Sequence, residues 1–137
     1  MKNFKLFVLA GVAAISLQAG EIKVIANPSV GAAAISADDL KRVFLGTRSS
    51  LADGSHVEPV LAKTGPAHEA FLKEYLGKTD GALTTYYRSL VFTGKGAMPK
   101  TLSSDEEIVS YVAKTRGAIG YVGAKTAATG VKELGVK

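Results

Sequence analysis

The chain has 137 residues, 47% of them hydrophobic, with 17 Lys+Arg against 12 Asp+Glu, two His and no Cys. That length sets one domain as the default. The lack of Cys excludes thiol chemistry, disulfides and Cys-ligated metal, and basic residues scattered without a block of five like charges argue against a nucleic-acid surface.

Lys2 and Lys5 precede an apolar stretch, residues 6–17, LFVLAGVAAISL, and Leu-Gln-Ala at 17–19 offers a cleavage point. This layout predicts a secretory signal peptide over 1–19. The stretch is short for a membrane span, which takes roughly 20 apolar residues, and no Cys follows it to carry a lipid. An uncleaved N-terminal anchor is the alternative. Residues 20–137 then hold 15 basic and 12 acidic side chains, a net +3 that suits a small anionic ligand and an ordinary soluble surface alike.

Residues 21–26, EIKVIA, alternate and are rich in β-formers, which predicts a strand. Asn27-Pro28-Ser29 ends it, and the small apolar residues 30–35 read as a packed loop. Ser36 is a helix N-cap, followed by Asp38 and Asp39 in the first turn, an apolar face of Leu40, Val43 and Phe44, and Gly46 as the stop. A polar loop over 47–56 contains an Asp53-Gly54 turn. Residues 57–62, VEPVLA, read as a second strand, in which Pro59 implies an edge or an early position.

The chain then turns through Lys63-Thr64-Gly65-Pro66 into a helix. Pro66 suits the first helical position, Thr64 or Gly65 the cap. Phe71, Leu72, Tyr75 and Leu76 form its apolar face, and Gly77 closes it. The next helix starts at Thr79–Asp80 and carries Leu83, Tyr86, Tyr87, Leu90 and Val91. Residues 94–99, GKGAMP, are a loop. Ser103-Ser104-Asp105-Glu106-Glu107 opens another helix, with Ile108, Tyr111 and Val112 facing inward; its carboxylates are helix-start chemistry rather than an acid–base pair. Residues 117–122, GAIGYV, are a short apolar strand, and VKELGV near the end is one more. With no repeat and no linker, these elements predict a single α/β domain, helices around a small mixed sheet.

The candidate sites are few. A strand that turns into a helix presents free N–H groups and the positive end of the helix dipole to an anion. At residues 63–68 the donors would be the N–H groups of Gly65, Ala67 and His68 and the Thr64 hydroxyl, with Lys63 as counter-charge and the His68 ring as a further donor. Against this, Pro66 removes one N–H, and an ordinary capped turn has the same outline. Asn27 and Ser29, at a strand end, are candidates to face a ligand cleft, because ligands of open α/β sheets lie beyond the carboxyl ends of strands; a simple turn is the alternative. GKGAMP matches no phosphate-loop or dinucleotide fingerprint and reads as a surface turn, with a basic ligand-touching loop as its alternative. His56 and His68 share no metal-ligand spacing, and no Ser/His/Asp set stands at a recognisable spacing. No metal, cofactor or enzymatic activity is expected.

Three segments, ISADDLKRVFLGTRSSLADG, GPAHEAFLKEYLG and SSDEEIVSYVAKTRGAIGYVG, taken in order, resemble the phosphate-binding proteins of ABC transporters, within the type 2 periplasmic-binding superfamily. The resemblance runs from about Ile25 to Val122. It implies a single lobe of a two-lobed fold over residues 20–137, phosphate or a similar oxyanion as ligand, a membrane transporter or sensor protein as partner, and binding without chemistry. The family's phosphate loop has an Arg, an acid, then Ser-Gly-Thr entering a helix. Here Pro66, Ala67 and His68 stand at the Ser-Gly-Thr positions, Thr64 near the acid, Ala62 or Lys63 near the Arg, and Gly65 at the preceding Gly. What the resemblance then implies is weak, backbone-driven anion binding. The competing reading is a non-catalytic periplasmic protein-interaction module in which the anion turn is vestigial.

Overall fold

The computed structural model describes residues 22–137; the expected signal peptide over 1–19 lies outside them. Six strands form one mixed sheet in the order β2-β6-β1-β5-β3-β4. They are β1 (Ile22–Ala26), β2 (Ala34–Ile35), β3 (Glu58–Ala62), β4 (Lys100–Leu102), β5 (Ala118–Gly123) and β6 (Lys132–Val136). β1 runs antiparallel to both β5 and β6, whereas β3 runs parallel to β5 and to β4. The helices are α1 (Ala37–Phe44), α2 (Pro66–Phe71, continuing as a π-helical turn over Leu72–Leu76), α3 (Asp80–Phe92) and α4 (Asp105–Lys114).

β5 is the centre of the molecule, and its first five residues are buried. Successive residues of a strand face opposite ways, so β5 serves both layers. Gly120 lies under α4, where a Cβ would stand 3.1 Å from the Ile108 methyl and 3.6 Å from that of Val112. Tyr121 points to the other face and stacks on Phe71 of α2, ring centroids 3.9 Å apart. Phe44 of α1 closes this aromatic cluster, edge-on to Phe71 at 4.8 Å. α3 packs outside α1 and satisfies its C-terminal carbonyls: the Tyr86 hydroxyl donates to Leu45 O at 2.6 Å and the Tyr87 hydroxyl to Phe44 O.

Local sequence chemistry accounts for most boundaries. Ser36, Thr79 and Ser104 each cap a helix by accepting from a backbone N–H three residues on. Gly77, at φ +64°, ends the π turn in the left-handed conformation that favours glycine. Pro59 is the second residue of an interior strand, consistent with its early position. Two short strands depart from expectation. Ala34–Ile35, expected in a packed loop, joins β6, and Lys100–Leu102, to which the sequence assigned no element, joins β3. Both are edge strands that complete the backbone bonding of a neighbour whose one flank would otherwise be open. Among the described residues no helix is long and apolar enough to cross a membrane.

Asn27 locks one end of the sheet. Its amide nitrogen donates to Val112 O at 2.8 Å and Ala113 O at 3.2 Å, at the end of α4, and its carbonyl accepts from Ser29 N at 2.8 Å. The Ser29 hydroxyl accepts from Gly117 N at 3.0 Å. Asn27→Ala leaves buried carbonyls at the end of α4 without these donors and should cost about 1–3 kcal/mol, lowering the melting midpoint by roughly 5–10 °C. Ser29→Ala, at an exposed position, should cost less; paired urea or thermal unfolding curves check the order.

Candidate anion site at the end of β3

The turn at residues 63–68 is built from the end of a parallel strand. β3 pairs with β4 through Ala62, and Lys63 N donates to Leu102 O at 2.9 Å. Gly65, at φ +111°, turns the chain into α2 and is its N-cap, with no side chain capping the helix. An L side chain would be strained at that φ, whereas nothing lies within 4 Å of where its Cβ would stand. Glu69 N donates to Gly65 O at 3.0 Å and closes the first helical bond. Among the described residues, the N–H groups of Gly65, Ala67 and His68 meet no protein acceptor. These are the orphan donors of a helix start. Lys63 and Thr64 are exposed beside them.

Below the turn, a chain of hydrogen bonds sets where α2 begins. Ala62 N donates to the Tyr121 hydroxyl at 3.0 Å. That hydroxyl lies 2.6 Å from His68 Nδ1, and His68 Nε2 lies 2.9 Å from Asp80 Oδ1. An ionised carboxylate only accepts, so Nε2 carries a proton; in the neutral ring Nδ1 then accepts, and the Tyr121 hydroxyl donates to it. Every polar atom in the chain is satisfied. Burial pushes the Tyr121 hydroxyl pKa well above the ordinary tyrosine value, against a smaller downward pull from the Ala62 N–H.

The structure therefore separates the candidates. Lys63, Thr64, Gly65, Ala67 and the His68 backbone come together at one turn. The His68 ring does not join them as a ligand donor, because it is buried with both nitrogens engaged inside the fold. Asn27 and Ser29 lie at the opposite end of the sheet. Asn27 N donates to Ala118 O, at the start of β5, whereas the turn adjoins the carboxyl ends of the parallel strands, with Ile22 paired to Gly123. A six-residue strand spans roughly 16 Å between those ends. GKGAMP is a loop, exposed from Gly94 to Met98 with Pro99 half-buried.

One residue of the site, Tyr121, was not singled out from the sequence, and one, His68, was given a different role. Tyr121 supports the turn from β5; the cue was its place at an inward-facing position of an apolar strand. His68 stands at i, i+3, i+4 spacing with Phe71 and Leu72, which marks it as part of the buried helix face. Two carboxylates also belong to this end. Asp80 is 66% exposed and holds His68, and Asp105 Oδ2 accepts from Gly123 N at 2.9 Å and Thr126 Oγ1 at 2.8 Å. Their negative charge opposes an anion nearby. A small hollow of about 190 Å3 opens beside Lys63, His68, Asp80 and Thr84. Among the described residues, no three His, Asp or Glu side chains cluster as for a metal.

Comparison with solved structures places this fold. The chain superposes on an ABC-type phosphate transport receptor from Vibrio cholerae with a TM-score of 0.63 and 12% identity, over 85% of this chain and 46% of that one. It superposes on PstS from Borrelia burgdorferi with a TM-score of 0.62 and 14% identity, over 85% of this chain and 47% of that one. The chain thus spans less than half the length of these receptors, and the architecture is the single-lobe form of a periplasmic-binding-like fold. No protein-family profile and no curated protein matches the sequence.

The raised Tyr121 pKa has a consequence with a fixed sign. Above about pH 10 an unfolded tyrosine ionises, while the folded one keeps its proton, so this contribution to stability is complete below pH 10 and declines as pH rises beyond it. Tyr121→Phe should flatten that alkaline decline while lowering stability at neutral pH by about 1–3 kcal/mol, because Ala62 N–H and His68 Nδ1 lose their partner. Thermal melts at neutral pH and above pH 10 on both proteins test it.

Proposed function

We propose that this protein is an exported, non-catalytic, substrate-binding-type protein that holds phosphate or a similar small oxyanion at the β3–α2 turn, for an ABC-type transporter or a sensor. One observation carries the reading: three N–H groups without acceptors, on Gly65, Ala67 and His68, stand at the start of a helix beyond the carboxyl end of a parallel strand. That is where an α/β sheet accepts anions. The likeness in fold to a phosphate transport receptor agrees with it.

In this reading the backbone donors hold the oxyanion, the Thr64 hydroxyl adds a bond, and Lys63 adds charge. Lys63 is a point charge on a flexible stem and lacks the planar fork of an arginine. Asp80 and Asp105 work against the ligand, and a single open lobe buries only part of it. All three factors favour weak binding.

A second reading, a module for docking a protein partner in which the turn is vestigial, is favoured by one observation: Phe92, at the end of α3, is 91% exposed.

Thermal melts with phosphate, sulfate and chloride at matched ionic strength test the anion reading. At a ligand concentration of about 100 times Kd the stabilisation is about 2.7 kcal/mol, on the order of 10 °C in midpoint for a domain of this size. A phosphate-selective rise that disappears in Lys63→Ala combined with Thr64→Val is expected. Equal shifts with all three salts, or none, would remove the support for an anion site.

A further inference from the structure

The end of α3 and the loop after it carry apolar surface that the fold does not use. Phe92 is 91% exposed, Met98 50% and Val91 49%, and every residue from Val91 to Met98 is exposed. Met98 continues this surface inward. It lines the hollow shared with Arg88, Val91 and Phe92, and also a deeper one of about 300 Å3 floored by Val43, Phe44, Val60 and Tyr87. A protruding aromatic beside an apolar-walled hollow suits the exchange of inserted side chains with another protein. A bilayer would meet Phe92 but would leave the hollow behind Met98 unfilled.

The surround is basic. From residue 81 to residue 104 the sequence has no Asp or Glu, but has Arg88, Lys95 and Lys100. None of the three forms an ion pair among the described residues. Lys100 stands over the Tyr111 ring, 5.5 Å from its centre. Among the residues lining the two hollows Glu58 is the one carboxylate; it lies 3.2 Å from His56 Nε2, and Arg48 and Lys100 line the same deeper hollow. An occupant therefore meets apolar walls ringed by more basic than acidic side chains, Arg48, Arg88 and Lys100 against Glu58.

We propose that this groove docks a protein partner through a segment bearing one large apolar anchor flanked by carboxylates. The proposal rests on the docking reading and not on the anion turn, so it can fail while phosphate binding stands, and the reverse.

The test pans a displayed library of short random peptides against the protein. The expected winners place Leu, Phe or Met beside two or more Asp or Glu. Their synthetic forms should lose at least about tenfold in affinity to Phe92→Ser and to Met98→Ser, and weaken similarly with Lys95→Glu combined with Lys100→Glu. Phe92 makes little buried contact, so Phe92→Ser should keep the wild-type melting midpoint, which separates lost docking from lost folding. Failure to enrich any sequence, enrichment without carboxylates, or binding indifferent to Phe92→Ser overturns the proposal. Co-sedimentation with vesicles containing anionic lipid, lost in Phe92→Ser, reassigns the surface to a membrane and also overturns it. Self-association in sedimentation velocity, lost in the same variant, reassigns it to a second copy of the chain and has the same consequence.

Discussion

The hydroxyl of Tyr121 is the point on which the candidate site depends. It accepts the N–H of the last β3 residue, Ala62, and donates to the ring of His68, in the first turn of α2. Strand end and helix start are thereby tied to the same atom on the central strand. His68 passes the connection to Asp80 at the start of α3. The direction in which α2 leaves the sheet, and so the direction of its unpaired N–H groups, follows from this buried chain and from the stacking of Phe71 on Tyr121. A histidine that the sequence offers as a ligand donor serves instead as a structural strut, and the site is left with backbone donors.

The two ends of the sheet divide the work. At one end Asn27 and Ser29 take up the carbonyls of α4 and the N–H of Gly117. These bonds go into closing the fold. At the other end β3 and β4 run into helices, leaving the N–H groups of Gly65, Ala67 and His68 at the start of α2 without acceptors, while at the start of α4 Ser104 takes the Glu107 N–H and Glu107 the Ser103 N–H. The two helix starts differ in one donor: the third amide of α4, Glu107, is capped by Ser104, whereas the third amide of α2, His68, has no side-chain cap.

Features that depend on neighbours in sequence were legible before the fold was. Ser36, Thr79, Ser104 and Gly77 act as the caps their types and positions imply, and the apolar face expected for α1 is the buried one; in α4 Ile108 and Val112 are buried as expected, but Val109 is buried while Tyr111 is half-buried. The mixed α/β class followed from the order of these elements. Features that depend on distant partners were not legible. Tyr121 and His68 are 53 residues apart, and Asn27 meets Val112 across 85; a single sequence carries no mark of either pairing. β2 and β4 are two and three residues long, too short for a period-two pattern, and exist because the sheet offers an open edge. The candidate turn itself was visible as strand, Gly-Pro and helix, whereas the separation of Asn27 and Ser29 from it needed the strand directions.

Oxyanion binding by the free amides of the β3–α2 turn is open to direct test. Titrating the 15N-labelled protein with phosphate at fixed ionic strength, and following each amide, addresses it most directly. A saturable shift shared by the amides of Gly65, Ala67 and His68, with Asn27 and Ser29 unmoved, is expected. Amides at the turn that stay in place, or that move equally with chloride, would contradict it.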